Sequence, residues 1–251
     1  MLLLLLAALQ ASQGPADKVL SSARQAVAQL NDTAAARAAG YRPITEIGIP
    51  DKQPFQGEHW QLPFRDTVRA VPLDRPSFLM FGPVNGVHRR IGIAYATQLR
   101  LAEPAPDGLG GDPAAKWHDH FWCEVPGRPN GFVVNQPEQC TSQGGALSPR
   151  RVSMVHVWTD VGSPEGVYGH DNPALPFVAL GLTPPAAHEF HDHDRARALR
   201  KLAWALGEAY DARLPLTRRI ERENQNPALA DSLRQRRAAL AARVPELKRA
   251  E

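Results

Sequence analysis

One dipeptide constrains this chain more than any other: Asn85-Gly86, set between the apolar stretches 77–81 and 90–101. Asn and Gly tolerate positive φ at small cost, which a two-residue turn between antiparallel strands demands. The chain must double back here, and residues 78–101 are predicted as a β-hairpin. The second arm alternates, with Ile91, Ile93 and Tyr95 on one face and Gly92, Ala94 and Ala96 on the other.

Two further segments read as strands and carry histidines. In 117–125 and 152–161, residues two apart share a face, so His118 and His120 project together. Met154, His156 and Trp158 share a face opposite Val155 and Val157. One side of that strand suits a core and the other an enclosed pocket. A third patch, Gly57-Glu58-His59-Trp60, falls in 41–76, where scattered Pro and Gly predict loop.

The ends of the chain read as helical. Residues 17–39 place Leu20, Ala23, Val27 and Leu30 at helical spacing, with Gly40 as the terminating residue and Pro43 beyond it. Residues 195–213 carry a stripe of Leu199, Leu202, Ala203, Leu206 and Tyr210, and Pro227 opens a last helix to about Arg243. The expected class is α+β: an antiparallel sheet or small β-barrel with N-terminal and C-terminal helices flanking it. The expected division is a signal segment at 1–14, a helix plus β-rich core at 15–186 and a helical extension at 187–251.

The apolar run from Leu2 to Leu9, followed by small and polar residues to Gly14, reads as the core and cleavage zone of a secretory signal. It is too short to span a bilayer, which takes about 20 apolar residues. Periplasmic or secreted localisation is therefore expected, with no transmembrane segment. Two cysteines, Cys123 and Cys140, fit an oxidising compartment, and a bridge between them would close a loop worth about 3 kcal/mol. Two free buried thiols, or Cys123 as a metal ligand, are the alternatives. The charge is uneven: from Arg195 onward fourteen Lys+Arg stand against seven Asp+Glu, a net of +7, so the remainder carries −4 of the overall +3. The basic residues are mixed with acidic ones around helices, so a solvated face rather than a nucleic-acid partner is expected.

Function has to be read from the histidines. Imidazole is the commonest transition-metal ligand, and buried imidazoles need partners. His59, His118, His120 and His156 each sit beside Trp or near Met, and one ion could satisfy all four. Nitrogen-only ligation favours Zn or Cu over Mg or Ca. An open coordination position would let the ion activate water or oxygen. His170 is an extra ligand candidate from a turn, and His88, beside Arg89-Arg90, is expected in solvent. His188-Glu189-x-His191-Asp192-His193-Asp194 is a second cluster, whose carboxylates also suit a helix start. No Gly-x-Ser-x-Gly elbow, P-loop, dinucleotide fingerprint or His-Glu-x-x-His motif occurs. The rival expectation is a metal-free module in which Trp60, Trp117, Trp122 and Trp158 line a pocket for a small molecule or cell-wall ligand.

Two resemblances bear on this. His118-x-His120-x3-Glu124, with Gly131 after it, is similar to the first motif of the cupin family, whose small β-barrels bind a metal through histidines and a carboxylate. Pro164-x-Gly166, with His170 and Asn172, stands near where a second such motif would supply another His, at a different spacing. More broadly, Ala38-Ala39-Gly40-Tyr41-Arg42-Pro43, Gly57-Glu58-His59-Trp60, Trp117-His118-x-His120, Met154-x-His156-Val157-Trp158 and Asn172-Pro173 resemble a set of exported bacterial proteins without assigned activity. That likeness implies export and a shared pattern, and no catalytic role.

Overall fold

The structure, a computed structural model, describes residues 14–47, 55–63, 71–128, 131–191 and 193–211. The expected signal segment up to residue 13 and the helix expected from Pro227 lie outside the described residues.

The chain is α+β. Seven strands are ordered β1-β2-β3-β4-β7-β5-β6, and every pairing is antiparallel. They are β1 Arg42–Pro43, β2 Glu58–Gln61, β3 Phe78–Val84, β4 Val87–Arg100, β5 His118–Glu124, β6 Phe132–Val134 and β7 Ala146–Val157. The hairpin forms where Asn85-Gly86 requires it: φ is +52° at Asn85 and +78° at Gly86, both in the left-handed region that a tight turn uses.

Three local readings change. The N-terminal helix is two helices, α1 Pro15–Ala26 and α2 Thr33–Ala38. Asp32 breaks the run by capping α2, its side chain accepting from Ala35 N–H at 2.8 Å. Residues 58–61, expected in a loop, form β2 and pair with β3. β7 begins at Ala146 rather than Val152, because Arg151 is buried and donates to the backbone carbonyls of Arg100, Leu101 and Glu103. Polar residues there hid the strand from its hydrophobic pattern. A short helix, α3 Pro137–Thr141, follows β6, and α4 Leu175–Ala179 lies in the turn-rich segment after β7. The later helix, α5, runs His193–Asp211.

The sheet has two unlike faces. On one, Leu79, Phe81, Ile93, Tyr95, Val155 and Val157 are buried against Val19, Ala23 and Val27 of the N-terminal segment. On the other lie Phe78, Ala94, Ala96 and Met154, with Met80, Trp158 and Leu175 beside them. A third cluster joins Phe177, Phe190 and Leu199 to Leu202, Ala203 and Leu206 of α5. Irregularities of register at Met80/Phe81 and at Phe121/Cys123 interrupt the ladders. Bulges of this kind increase local twist and bend the strand.

Candidate functional site

Strand register sets the histidines on one face. His59 stands opposite Met80, Met80 opposite Gly92, Ala94 opposite His156, and His118 opposite Met154. β2 and β7 are three places apart in the sheet. At about 4.8 Å per place, a flat sheet would separate them by roughly 14 Å. Yet the ring centres of His59 and His156 are 5.6 Å apart. The sheet therefore curls with this face inward. The residues on β4 beneath the gap are small: Gly92, Ala94 and Ala96. A Cβ at Gly92 would sit 2.7 Å from Met80 Cε and 3.1 Å from both Trp158 and the Val157 carbonyl.

Gly57 explains the start of the first histidine patch. Its φ is +74°, and a Cβ there would meet the Phe81 carbonyl oxygen at 2.5 Å. Only glycine lets the backbone enter β2 this close to β3. Glu58 does not join the cluster: it pairs with His88 at 3.3 Å, and His88 in turn stacks on Phe81.

All four predicted histidines meet. His118 lies 4.9 Å from His120 and 5.0 Å from His156, ring centre to ring centre. His59 and His156 are buried, and His118 and His120 are half-buried. A fifth ring, His170, joins them 4.3 Å from His118 and 5.6 Å from His156. It comes from the loop after β7, where only the local turn residues hinted at it. By contrast, His188 and His191 of the second cluster are exposed. Glu124, the carboxylate of the cupin-like spacing, is exposed at the end of β5.

The hydrogen bonds sort the ring nitrogens. His156 Nδ1 is 2.7 Å from the His170 carbonyl oxygen, which can only accept, so Nδ1 carries the proton and Nε2 keeps its lone pair. His120 Nδ1 stands 3.0 Å from Asn135 Oδ1, and by the same logic it donates. Among the described residues, the buried Nε2 atoms of His156 and His118 have no hydrogen-bond partner. Burial, reinforced by neighbouring imidazoles, pushes His118 down to about 3 and His156 well below its ordinary value. Burial also lowers His120 to about 4, against the Asn135 bond that favours its charged form. The interior rings are held neutral, the state in which imidazole binds a metal. Among the described residues, no group of three or more His, Cys, Asp or Glu side chains is placed as around a bound metal ion.

Cys123 and Cys140 are bridged, with Cα atoms 5.5 Å apart, so neither is a free ligand. The bridge fastens α3 to β5. From α3, the Gln139 side chain accepts from the backbone N–H groups of Asn135 and Gln136. Asn135 is the residue that holds His120.

The tryptophans disperse. Trp60 and Trp117 pack with the cluster on the opposite face. Trp122 lies against Gly131, whose added Cβ would meet its indole at 2.4 Å. Trp158 is beside His156, at 5.8 Å, and its indole N–H donates to the Gly169 carbonyl.

No protein-family model matches the chain, and no curated protein or solved structure is significantly similar to it. Among the described residues no helix is long and apolar enough to cross a membrane. Function therefore has to be argued from the site.

Proposed function

We propose that this protein binds a divalent transition metal, Zn or Cu, through His59, His118, His120 and His156, and that it works in the periplasm or outside the cell. One observation carries the reading: the Nε2 atoms of His118 and His156 are buried and have no hydrogen-bond partner among the described residues. A buried acceptor without a donor costs about 1–3 kcal/mol. A fold that keeps one such acceptor, His156 Nε2, beside a second unpartnered ring nitrogen, His118 Nε2, supports a ligand that takes lone pairs, and a metal ion does so.

Two further features support it. An ion about 2.0–2.1 Å from each nitrogen in a tetrahedral array sets neighbouring ring centres roughly 5 Å apart. Three of the six pairs, at 4.9, 5.0 and 5.6 Å, have that spacing. Binding requires the rings to turn toward a common point, because the side chains as placed do not form a finished cage. The Nδ1 bonds of His120 and His156 also follow the pattern in which an outer oxygen fixes a ligand's tautomer. Export is supported by the disulfide and the leucine run at the start of the chain.

The deciding experiment is metal analysis of the purified mature protein, with titration of chelator-stripped protein. About one equivalent of Zn or Cu is expected. At a hundredfold excess over Kd, binding contributes about 2.7 kcal/mol, or roughly 5–10 °C in Tm for a chain of this size. Protein that retains no metal, binds none and melts unchanged with Zn, Cu and Ni would overturn the reading. A Tm that rises with a cell-wall fragment instead would establish the metal-free alternative.

A further inference from the structure

The loop between β7 and α4 does two things at one residue. The His170 carbonyl accepts the Nδ1 proton of His156 at 2.7 Å, and the His170 ring packs on His118 at 4.3 Å. The ring itself is tethered. Its Nδ1 is 3.2 Å from Asp171 Oδ1, and the same oxygen accepts from Gln56 Nε2 at 3.0 Å. Gln56 is buried and lies three residues before His59 on the approach to β2, so one short segment supplies a cluster imidazole and the amide that braces Asp171.

The loop is not loosely hung. Trp158 Nε1 donates to the Gly169 carbonyl at 2.7 Å, Ser163 Oγ to the Asp171 carbonyl at 3.0 Å, and the Asn172 amide to the Phe55 carbonyl at 2.9 Å. The His170 side chain remains 44 % exposed. It is the solvent-facing ring of a group whose other members are buried or half-buried.

The arrangement repeats at three rings. His120 gives Nδ1 to an amide oxygen, His156 to a carbonyl oxygen, and His170 to a carboxylate. At His156 the bond leaves a buried Nε2 without a partner among the described residues, while at His170 the Gln56 amide nitrogen stands 3.4 Å from both ring nitrogens. A carboxylate on the far nitrogen also makes the ring a better ligand.

Resting on the metal reading above, we propose that His170 is a fifth metal ligand, through Nε2 on the solvent side of the centre, where the ion takes the place of the 3.4 Å Gln56 contact, with Asp171 and Gln56 as positioning residues. A fifth nitrogen departs from the closed tetrahedral set of a structural Zn site and suits Cu(II) or Ni(II), whose preferred geometries accept more nitrogen donors. The exposed donor is also the one an incoming small molecule would displace, so ligands approach the centre from the loop side.

The test uses the full mature protein loaded with Cu(II), comparing wild type with His170→Ala, His170→Gln, Asp171→Asn and Gln56→Ala. Affinity is read by competition with a chelator, and coordination by the visible band and the paramagnetic resonance spectrum. His170→Ala is expected to bind one copper 10–100-fold more weakly and with an altered spectrum. Added imidazole should restore the wild-type spectrum. Asp171→Asn and Gln56→Ala should weaken binding less and keep the wild-type spectral shape. Because the side chain is 44 % exposed and lies in a loop, circular dichroism should report an unchanged fold, and His170→Gln provides a second variant that keeps the bulk. Wild-type spectra and affinity in both His170 variants would overturn this inference and leave the four-histidine reading standing. Failure of the wild type to take up any metal would overturn both.

Discussion

The two faces of β7 are built from the same twelve residues and gather different kinds of polar group. On the helix-covered side, Val155 and Val157 pack with Tyr95 and Tyr41. Both tyrosine hydroxyls there are spent, Tyr95 on the Leu73 carbonyl and Tyr41 on the Pro76 carbonyl. On the other side His156 stands with His59, His118 and His170, and the buried Nε2 atoms of His118 and His156 have no hydrogen-bond partner among the described residues. The core face is packed with apolar residues, and Trp60 Nε1 and Ser153 Oγ are buried there without a hydrogen-bond partner among the described residues. The other face gathers four imidazoles, the groups on which the metal proposal rests.

The sharpest way to break this contrast is a pair of truncations. Ile93→Ala on the core face should cost about 2–5 kcal/mol of stability, through lost burial and a cavity, and leave metal stoichiometry intact. His118→Ala should do the reverse: metal affinity falls more than about a hundredfold, while metal-free stability changes by about 1 kcal/mol or less, since a costly buried polar atom is removed. Denaturant melts with and without chelator would read both. If His118→Ala unfolds the metal-free protein as badly as Ile93→Ala, the two faces are both simply core.

A smaller effect couples the faces through the disulfide. Cys140→Ser opens a loop of 17 residues' separation and should cost about 3 kcal/mol. It also frees α3, whose Gln139 holds Asn135 against His120. Asn135→Ala alone should leave stability nearly unchanged and weaken metal binding about tenfold or more. Equal metal affinity in wild type and both variants, measured by chelator competition, would sever this link.

The gentlest probe is pH. In the metal-free fold His118, His120 and His156 stay neutral well below the ordinary histidine range. The unfolded chain takes up their protons from about pH 6.5 downward. It then binds more protons than the fold, so stability falls as pH drops from about 6.5 toward 4. His170, raised by Asp171, acts in the opposite sense and offsets part of the loss. On the core face the Tyr41 hydroxyl stands far above this window, pushed up to about 12 by burial. Identical denaturation midpoints at pH 7 and pH 5 in chelator would contradict the neutral cluster.

Much of this was legible in the residues. Asn85-Gly86 specified the hairpin, and period-two alternation set His118 with His120 and Met154 with His156. What hid from view had local causes. β2 is only four residues long and is introduced by a glycine at positive φ, so Gly57-Glu58-His59-Trp60 looked like loop. The start of β7 carries Ser148-Pro149-Arg150-Arg151, and the burial of Arg151 depends on carbonyls some fifty residues away. Asn31-Asp32 interrupts a helix whose apolar spacing continues across it. His170 was visible only as a turn residue, because its place depends on how the loop folds back onto the sheet.

The back-to-back construction of β7 has a consequence for insertions and deletions. Side chains alternate with period two, so a slip by one residue would carry His156 into the apolar layer and a valine into the histidine cluster. Neither face tolerates the exchange: one would bury imidazole against Tyr95, and the other would lose a lone pair. Added or missing residues are therefore absorbed outside the strand, in connections such as the Pro- and Gly-rich stretch before β5, while the spacing from Met154 to Trp158 is locked from both sides at once.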